Sequence, residues 1–363
     1  MSRTESVEKG PSKLNRAAGN LIAICVSLAV ALGVGELLVR AAFHGSMDFD
    51  MEMWKYASQI KRPSDDPRVV FEHSPNGKAF LMGVEVTTNS LGLREGERAR
   101  AKPPGTYRIV ALGDSTTEGW GVAQDMTWPA QLERRLNAQP LKGFPEGLHY
   151  EVLNLGVGNY NTVQEVMRLR NLGLSLDPDL VLLGYFINDA EPTPKPSRGF
   201  LIEHSYLYAF VASRIRMFKP STGTYLDYYK GLYANDFPGW REAQAALKDL
   251  ASISRERSIP AIMFIIPEMH KLDDNYPFAE INHRLEQVGA AVGLPVVDLL
   301  PALKGHKPES ALWVSPLDAH QNAEACGLMA NGIYGALEAR AAQIRDLNAV
   351  QKPGSGDAPA AGR

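Results

Sequence analysis

The sequence predicts an α/β protein with a five-stranded parallel sheet, preceded by a helix long enough to cross a membrane. Five short, nearly continuous apolar runs are typical of strands that are buried on both faces. Helical patterns separate these runs, and strands that alternate with helices imply a parallel sheet with helices on both faces. Near the start of the chain, residues 17–35 form a run of 19 residues without a charge.

The expected strands and helices follow one another from residue 107 onward. The strands are predicted at residues 107–112, 150–155, 180–186, 260–266 and 295–299. The helices are predicted at residues 128–137, 163–174, 240–257, 278–292 and 323–344. A capping box is expected in Thr162-Val163-Gln164-Glu165 at the start of the second helix. In sheets of this kind, functional residues gather at the carboxyl ends of the strands.

The N-terminal apolar run is interpreted as an uncleaved membrane anchor over residues 17–40. At ~1.5 Å rise per residue, 19 residues span ~28 Å, close to the hydrocarbon thickness of a bilayer. Four basic residues precede the run against two acidic ones. This bias predicts a cytoplasmic N-terminus over residues 1–16 and an extracytoplasmic remainder in the cell envelope. A signal peptide cleaved near residues 29–31 and a buried core helix are the alternatives.

The rest of the chain divides into a connecting segment, one large domain and a tail. Residues 41–105 are a juxtamembrane segment, in which 68–73 and 79–87 flank a Pro-Asn-Gly turn signal and predict a β-hairpin. Residues 106–345 are the main domain. Within it, residues 191–238 are an aromatic-rich insertion or lid, which we expect mainly to pack on the sheet. Residues 346–363 are expected to be a disordered tail.

Composition excludes several classes of protein. The chain has 363 residues, 45% of them hydrophobic, which is too apolar for a mainly disordered protein. A net charge of −3 argues against a general nucleic-acid binder. Two cysteines cannot staple a small disulfide-rich fold, and no metal site is visible in local spacing. We expect no cofactor and no metal. The sequence does not indicate an oligomeric state.

A serine and a histidine stand at two predicted strand-end loops. Gly-Asp-Ser at residues 113–115 follows the first strand, where a turn can present the Ser115 hydroxyl to a ligand. A nucleophilic serine needs a base, and His320 lies in a loop just before the last helix. Asp318 is close enough in sequence to orient the imidazole of His320. A tight turn and a surface Asp-x-His are the plain alternatives for these two motifs.

Acyl transfer also needs hydrogen-bond donors for the oxyanion of a tetrahedral intermediate. The second strand runs into a turn that contains Gly156, Gly158 and Asn159, residue types that tolerate a left-handed backbone. The third strand runs into Asn188, whose side-chain amide could donate. Either asparagine could instead cap a helix or a turn.

The order of these four blocks over residues 105–345 resembles that of the SGNH (GDSL) hydrolase superfamily. The resemblance implies a flavodoxin-like three-layer α/β/α sandwich, with Ser115 as nucleophile, His320 as base and Asp318 as its partner. It also implies an oxyanion hole made by the Ser115 N–H, a backbone N–H of Gly158 or Asn159, and the Asn188 side chain. The implied activity is that of a serine-dependent carboxylic ester hydrolase.

Three positions depart from the family pattern. Asn159 stands where the second block has glycine, and Phe186 stands where the third has glycine, which should narrow the pocket. The usual Asp-x-x-His of the last block is Asp-x-His here, because the residue three before His320 is Leu317. That spacing also resembles membrane-tethered SGNH-like O-acetyltransferases of bacterial exopolysaccharide assembly.

Placement outside the cytoplasm favours acyl or acetyl esters of envelope or extracellular carbohydrate or lipid as substrates. An O-acyltransferase with the same triad is an alternative, because water and a sugar hydroxyl can both resolve an acyl-enzyme. A non-catalytic carbohydrate-binding protein on the same fold is the alternative of another class.

Overall fold

The computed structural model describes residues 13–196, 199–217 and 223–349. Its first part contains a long helix, a short helix and two small antiparallel ribbons. The elements are α1 (Lys13–Phe43), α2 (Phe49–Gln59), β1 (Lys61–Pro63), β2 (Phe71–His73), β3 (Lys78–Leu81) and β4 (Val84–Thr87). Helix α1 has the length and composition of a membrane span, and its residues 16–34 are exposed. A signal sequence has the same properties. The predicted cytoplasmic N-terminus lies outside the described residues up to position 12.

The second part begins with the strand that leads to Ser115 and continues through alternating helices and strands. Its elements are β5 (Thr106–Gly113), α3 (Ser115–Glu118), α4 (Trp128–Ala138), β6 (His149–Asn154), α5 (Thr162–Asn171), β7 (Leu180–Tyr185), α6 (Phe200–His204), α7 (Tyr206–Met217), α8 (Tyr225–Leu232), α9 (Pro238–Arg257), β8 (Ala261–Ile265), α10 (Ala279–Val292), β9 (Val296–Asp298), α11 (Leu300–Leu303), β10 (Trp313–Ser315), β11 (Asp318–Gln321), α12 (Ala323–Ala339) and α13 (Ala341–Ala349).

The central sheet confirms the predicted architecture. Its strands are parallel throughout and lie in the order β6-β5-β7-β8-β9. The chain therefore adds β6 on one side of β5 and then β7, β8 and β9 in turn on the other side. Alternate residues of β5 enter two separate cores. Ile109 and Ala111 pack beneath α4 and α12, whereas Val110 and Leu112 pack beneath α5 and α9. Because both faces are covered, most positions of the strands are apolar, which made them visible in the sequence.

The winding direction changes between β5 and β7. In open α/β sheets, ligands bind at the carboxyl ends of the strands beside such a switch point. Ser115 lies two residues after β5, and Asn188 lies three residues after β7. The fold therefore brings these two candidate residues to the same place.

The predicted hairpin between residues 68–73 and 79–87 is wrong. Strand β2 pairs with β1, and β3 pairs with β4. Asn76 does adopt a left-handed conformation, with φ of 54°. Its turn, however, joins the β1–β2 ribbon to the β3–β4 ribbon and is not the turn of a hairpin. The true hairpin turn is Met82-Gly83, where both φ angles are positive. Methionine is not a typical residue for such a turn, so no turn signal marks this position.

Helix boundaries differ from the prediction, most clearly at the start of α5 and at the C-terminal end of the domain. The N-cap of α5 is Asn161, which forms a capping box with Gln164, one residue before the predicted Thr162. The predicted last helix is two helices, α12 and α13, separated at Arg340. Helix α13 continues to Ala349, into the stretch predicted as a tail, and residues 350–363 lie outside the described part of the chain.

Candidate active site

The turn after β5 presents Ser115 at the edge of the sheet. Gly113 has a φ of 153°, and a Cβ there would lie 2.1 Å from the Thr117 Oγ1 and 2.9 Å from the Gly184 carbonyl oxygen, so only glycine fits. Asp114 then caps the short helix α3, its Oδ1 accepting a hydrogen bond from the Thr116 N–H at 2.8 Å. Ser115 begins α3 and is buried, with 6% exposure.

The side chains of Ser115, His320 and Asp318 form a continuous hydrogen-bonded chain. The Ser115 Oγ lies 2.9 Å from His320 Nε2, and His320 Nδ1 lies 2.6 Å from Asp318 Oδ1. With the Nδ1 proton held by the carboxylate, Nε2 is free to accept the serine proton. Residues i and i+2 of a strand project from the same face. Because Asp318 and His320 lie on β11, the Asp-x-His spacing suffices, whereas Leu317 is 90% exposed.

Both carboxylate oxygens of Asp318 accept hydrogen bonds. Its Oδ1 accepts from the His320 backbone N–H at 3.0 Å as well as from the imidazole, and its Oδ2 accepts from Trp120 Nε1 at 2.9 Å. Although burial raises the pKa of this carboxyl, these bonds and the charge of His320 outweigh burial and lower it. Asp318 is therefore held as a carboxylate.

The imidazole of His320 is biased toward its charged form. Burial lowers the pKa of His320, but the hydrogen bond and charge of Asp318, together with Asp114 and Glu118, outweigh burial and raise it above 6.5. Phe49 stacks on the ring at a centroid distance of 6.1 Å, and the Trp120 ring lies 6.2 Å away. Neither aromatic residue was singled out from the sequence. Trp120 follows the Gly-Asp-Ser motif closely enough to have been a candidate, whereas no motif marks Phe49.

The backbone N–H groups proposed as oxyanion donors differ in whether they already donate a hydrogen bond. The Gly158 N–H donates to the Tyr56 Oη at 2.8 Å, so it is occupied. Within the described residues, no acceptor lies on the backbone N–H of Ser115 or of Asn159. Asn159 has a φ of 65°, as expected for an asparagine in a glycine position. The geometry thus favours Asn159 over Gly158 as the backbone donor.

Asn188 is partly buried and lines the same cavity as Asn159. Its Oδ1 is buried, and none of the described residues donates a hydrogen bond to it. Phe186 packs against both core clusters. It does not line the cavity of 740 Å³ that Asn159 and Asn188 line. The expected narrowing of the pocket by Phe186 is therefore not seen in that cavity.

A comparison with models of protein families assigns the chain to a family. The model of the GDSL-like lipase/acylhydrolase family matches residues 111–326, more than half of the chain, from β5 to the start of α12. The chain belongs to this family. The predicted resemblance is therefore confirmed. Among curated proteins, no sequence matches this GDSL-like chain.

Several solved structures are similar to this chain at low sequence identity. TesA shares 17% identity with a TM-score of 0.41, over 64% of this chain and 98% of its own. The lipase/acylhydrolase from Enterococcus faecalis shares 17% identity with a TM-score of 0.38, over 69% of this chain and 100% of its own. The psychrotrophic esterase EstA from Pseudoalteromonas sp. shares 16% identity with a TM-score of 0.39, over 65% and 98% of the two chains.

The GDSL-like domain has a cavity of 740 Å³ beside Asn159 and Asn188. The connecting segment lines one side of it and the residues after β7 line the other. Its aromatic lining residues are Trp54, Phe71 and Tyr160, and its charged ones include Lys61, Arg62, Glu191 and Lys195. This cavity is large enough for a sugar or an acyl chain next to the proposed oxyanion donors.

The insertion does not simply bury its aromatic rings. Tyr233 is buried and hydrogen-bonds Tyr185 through its hydroxyl at 3.0 Å, as expected for a packed lid. Tyr228 is 52% exposed, and its hydroxyl donates to Glu191 Oε1 at 2.7 Å. Phe218 lies outside the described residues.

Described residues offer no cluster of His, Cys, Asp and Glu side chains that could hold a metal ion. Cys25 is exposed on α1 and Cys326 is buried in α12, and both are free.

We predict that Gly156→Ala destabilises the protein. An alanine Cβ at this position would lie 2.4 Å from the Glu118 backbone nitrogen and 2.8 Å from the Thr117 carbonyl carbon, so it would press on the backbone of α3. Overpacking against a fixed backbone costs about 1–3 kcal/mol. Urea unfolding should show this loss. The control is Gly335→Ala, in an open position of α12, which should leave stability equal or higher. Equal midpoints for G156A and wild type would contradict the expected clash.

Proposed function

We propose that this GDSL-like protein is a serine-dependent carboxylic ester hydrolase that uses Ser115, His320 and Asp318. The observation that carries the proposal is the 2.9 Å contact between Ser115 Oγ and His320 Nε2, continued at 2.6 Å to Asp318. Nucleophile, base and orienting acid stand at hydrogen-bond distances, as serine acyl transfer requires. Residues 106–345 form the catalytic domain in this proposal, with residues 41–105 packed on it.

The reaction runs in two halves. His320 takes the proton as the Ser115 oxygen attacks the ester carbonyl, and the resulting oxyanion receives hydrogen bonds from the Ser115 N–H, the Asn159 N–H and the Asn188 side chain. His320 then protonates the departing alcohol, which leaves Ser115 acylated. In the second half, His320 deprotonates a water molecule that attacks the acyl group. The bond between the acyl carbon and Ser115 Oγ then breaks, His320 returns the proton to the serine oxygen, and the acid is released. No step requires a cofactor.

We further propose acyl or acetyl esters of extracytoplasmic carbohydrate or lipid as substrates. Two features support this class. The exposed apolar helix α1 suits an anchor that leaves the catalytic domain outside the cytoplasm. The cavity beside Asn159 combines aromatic rings with charged and amide groups, a combination that suits a sugar ring with its hydroxyls.

The test compares acetylated and deacetylated envelope polysaccharide as substrates for the purified full-length protein. We expect loss of acetyl groups from the acetylated polymer, with an inactive Ser115→Ala variant as control. Acetyl gain on the deacetylated polymer in the presence of a donor ester would support an O-acyltransferase instead, the alternative that the resemblance of the Asp-x-His spacing raised. If neither polymer changed and p-nitrophenyl acetate were not turned over, the result would indicate a non-catalytic carbohydrate-binding protein.

A further inference from the structure

The loop that carries the Asn159 N–H is held by the segment that precedes the GDSL-like domain. Tyr56 of α2 accepts a hydrogen bond from the Gly158 N–H at 2.8 Å, and its hydroxyl lies 2.6 Å from His73 Nε2. Lys61 of β1 donates from Nζ to the Gly158 carbonyl oxygen at 2.6 Å and to Asn159 Oδ1 at 2.9 Å. The contacts of Tyr56 and Lys61 with the loop join positions about a hundred residues apart, and both residues lie outside the matched range 111–326.

The ammonium group of Lys61 has a defined place in this arrangement. It lies 4.4 Å from the ring centroid of Tyr56 and 4.0 Å from that of Phe71, so two aromatic faces flank it. Burial lowers the pKa of Lys61 to about 7, whereas the charge of Glu118 and the two cation–π contacts favour the charged ammonium form. Lys61 is therefore anchored by two rings while two of its hydrogen bonds reach the loop.

The two hydrogen-bonding atoms of the Gly158–Asn159 peptide are the carbonyl oxygen of Gly158 and the N–H of Asn159. In a trans peptide these groups point in opposite directions. A cation bound to the carbonyl oxygen fixes the peptide plane and draws electron density from the amide, which strengthens its N–H as a donor. The second bond of Lys61, to Asn159 Oδ1, turns the asparagine side chain to the same side as the carbonyl.

From this geometry we propose that Lys61 is a positioning residue of the active site. It orients and polarises the Gly158–Asn159 peptide so that the Asn159 N–H serves the oxyanion. The inference rests on the proposed function, because it assigns the donor for that same reaction. It also makes the connecting segment a necessary part of the catalytic unit.

The test is steady-state kinetics of full-length Lys61→Met and Lys61→Arg on p-nitrophenyl acetate. Methionine keeps the length of the side chain and removes the charge, and we expect kcat to fall about 10- to 100-fold with KM changed less than about twofold. Loss of a whole oxyanion donor costs about 10²–10³-fold, so a misoriented donor costs somewhat less. Arginine keeps a cation and should recover part of kcat. The control is Lys78→Met, a 68% exposed lysine of β3 paired with Glu85, which should match wild type.

Two further measurements separate a loss of kcat caused by unfolding from one caused by a misoriented oxyanion donor. Thermal unfolding compares the folded fractions, and labelling of Ser115 by a fluorophosphonate should slow in K61M in proportion to kcat. A K61M variant with wild-type kcat would overturn the inference, as would equal losses of kcat in K61M and K61R. Activity that persists in Ser115→Ala would instead overturn the proposed function, whatever Lys61 does.

Discussion

Replacing His320 with alanine is expected to lower kcat/KM for a small chromogenic ester by about 10⁴-fold or more. Without the imidazole, no group at 2.9 Å takes the proton from the Ser115 hydroxyl. In serine hydrolases that use such a triad, loss of the base costs about as much as loss of the whole triad. The residual rate would come from the oxyanion donors and from binding.

The matched control for this variant is His283→Ala. His283 lies on α10 with a 67% exposed side chain, where it contacts Glu286 and Gln287. We expect wild-type activity from it. If H320A lost less than about tenfold while remaining folded, another base would have to serve Ser115, and the triad proposed here would be incorrect.

Replacing Asp318 with asparagine is expected to lower kcat by about 10²–10⁴-fold and to shift the pH profile. Both carboxylate oxygens of Asp318 face donors, Oδ1 the backbone and ring of His320 and Oδ2 the indole of Trp120. An amide must place its own NH₂ against one of these donors. The imidazole then loses the carboxylate that fixes its tautomer and stabilises its charged form.

The direction of the pH shift follows from the pKa of His320. In the wild type this pKa lies above 6.5, so kcat/KM, which requires a neutral imidazole, is lost as the pH falls through that raised value. Without the charge of Asp318, protonation of the imidazole is less favourable and its pKa falls. The acid limb of kcat/KM in D318N should therefore move to lower pH. An unmoved limb would contradict the assignment of Asp318 as the electrostatic partner.

Local patterns in the sequence predicted most of the sheet. Each strand lies within about two residues of its predicted ends, because burial on both faces gives a short, continuous apolar run. The connecting segment was harder to predict. Its ribbons are three or four residues long, and a turn signal such as Asn76 shows that the chain bends without showing which strands then pair. The turn at Met82 is held by tertiary contact, since its N–H donates to the buried Glu52 Oε2 at 2.8 Å.

The candidate site was predictable in part for the same reason. Ser115 and Asn188 lie just after strands of the sheet, as predicted, whereas Asp318 and His320, predicted in a loop, lie on the short strand β11 just before α12. At all four positions, residue type and place in the fold together suggest chemistry. Phe49, Tyr56 and Lys61 reach the same site from a segment without a motif, and no periodicity relates Lys61 to a loop 97 residues away. Such contacts depend on how two layers pack, which a single sequence does not specify.

The central claim is that Ser115 is the nucleophile. The most direct measurement is mass-spectrometric mapping of the adduct formed when the full-length protein reacts with a fluorophosphonate. We expect a single phosphonylated peptide, modified at Ser115, with loss of esterase activity in step with labelling. An adduct on another residue, or full activity after stoichiometric labelling of Ser115, would contradict the claim.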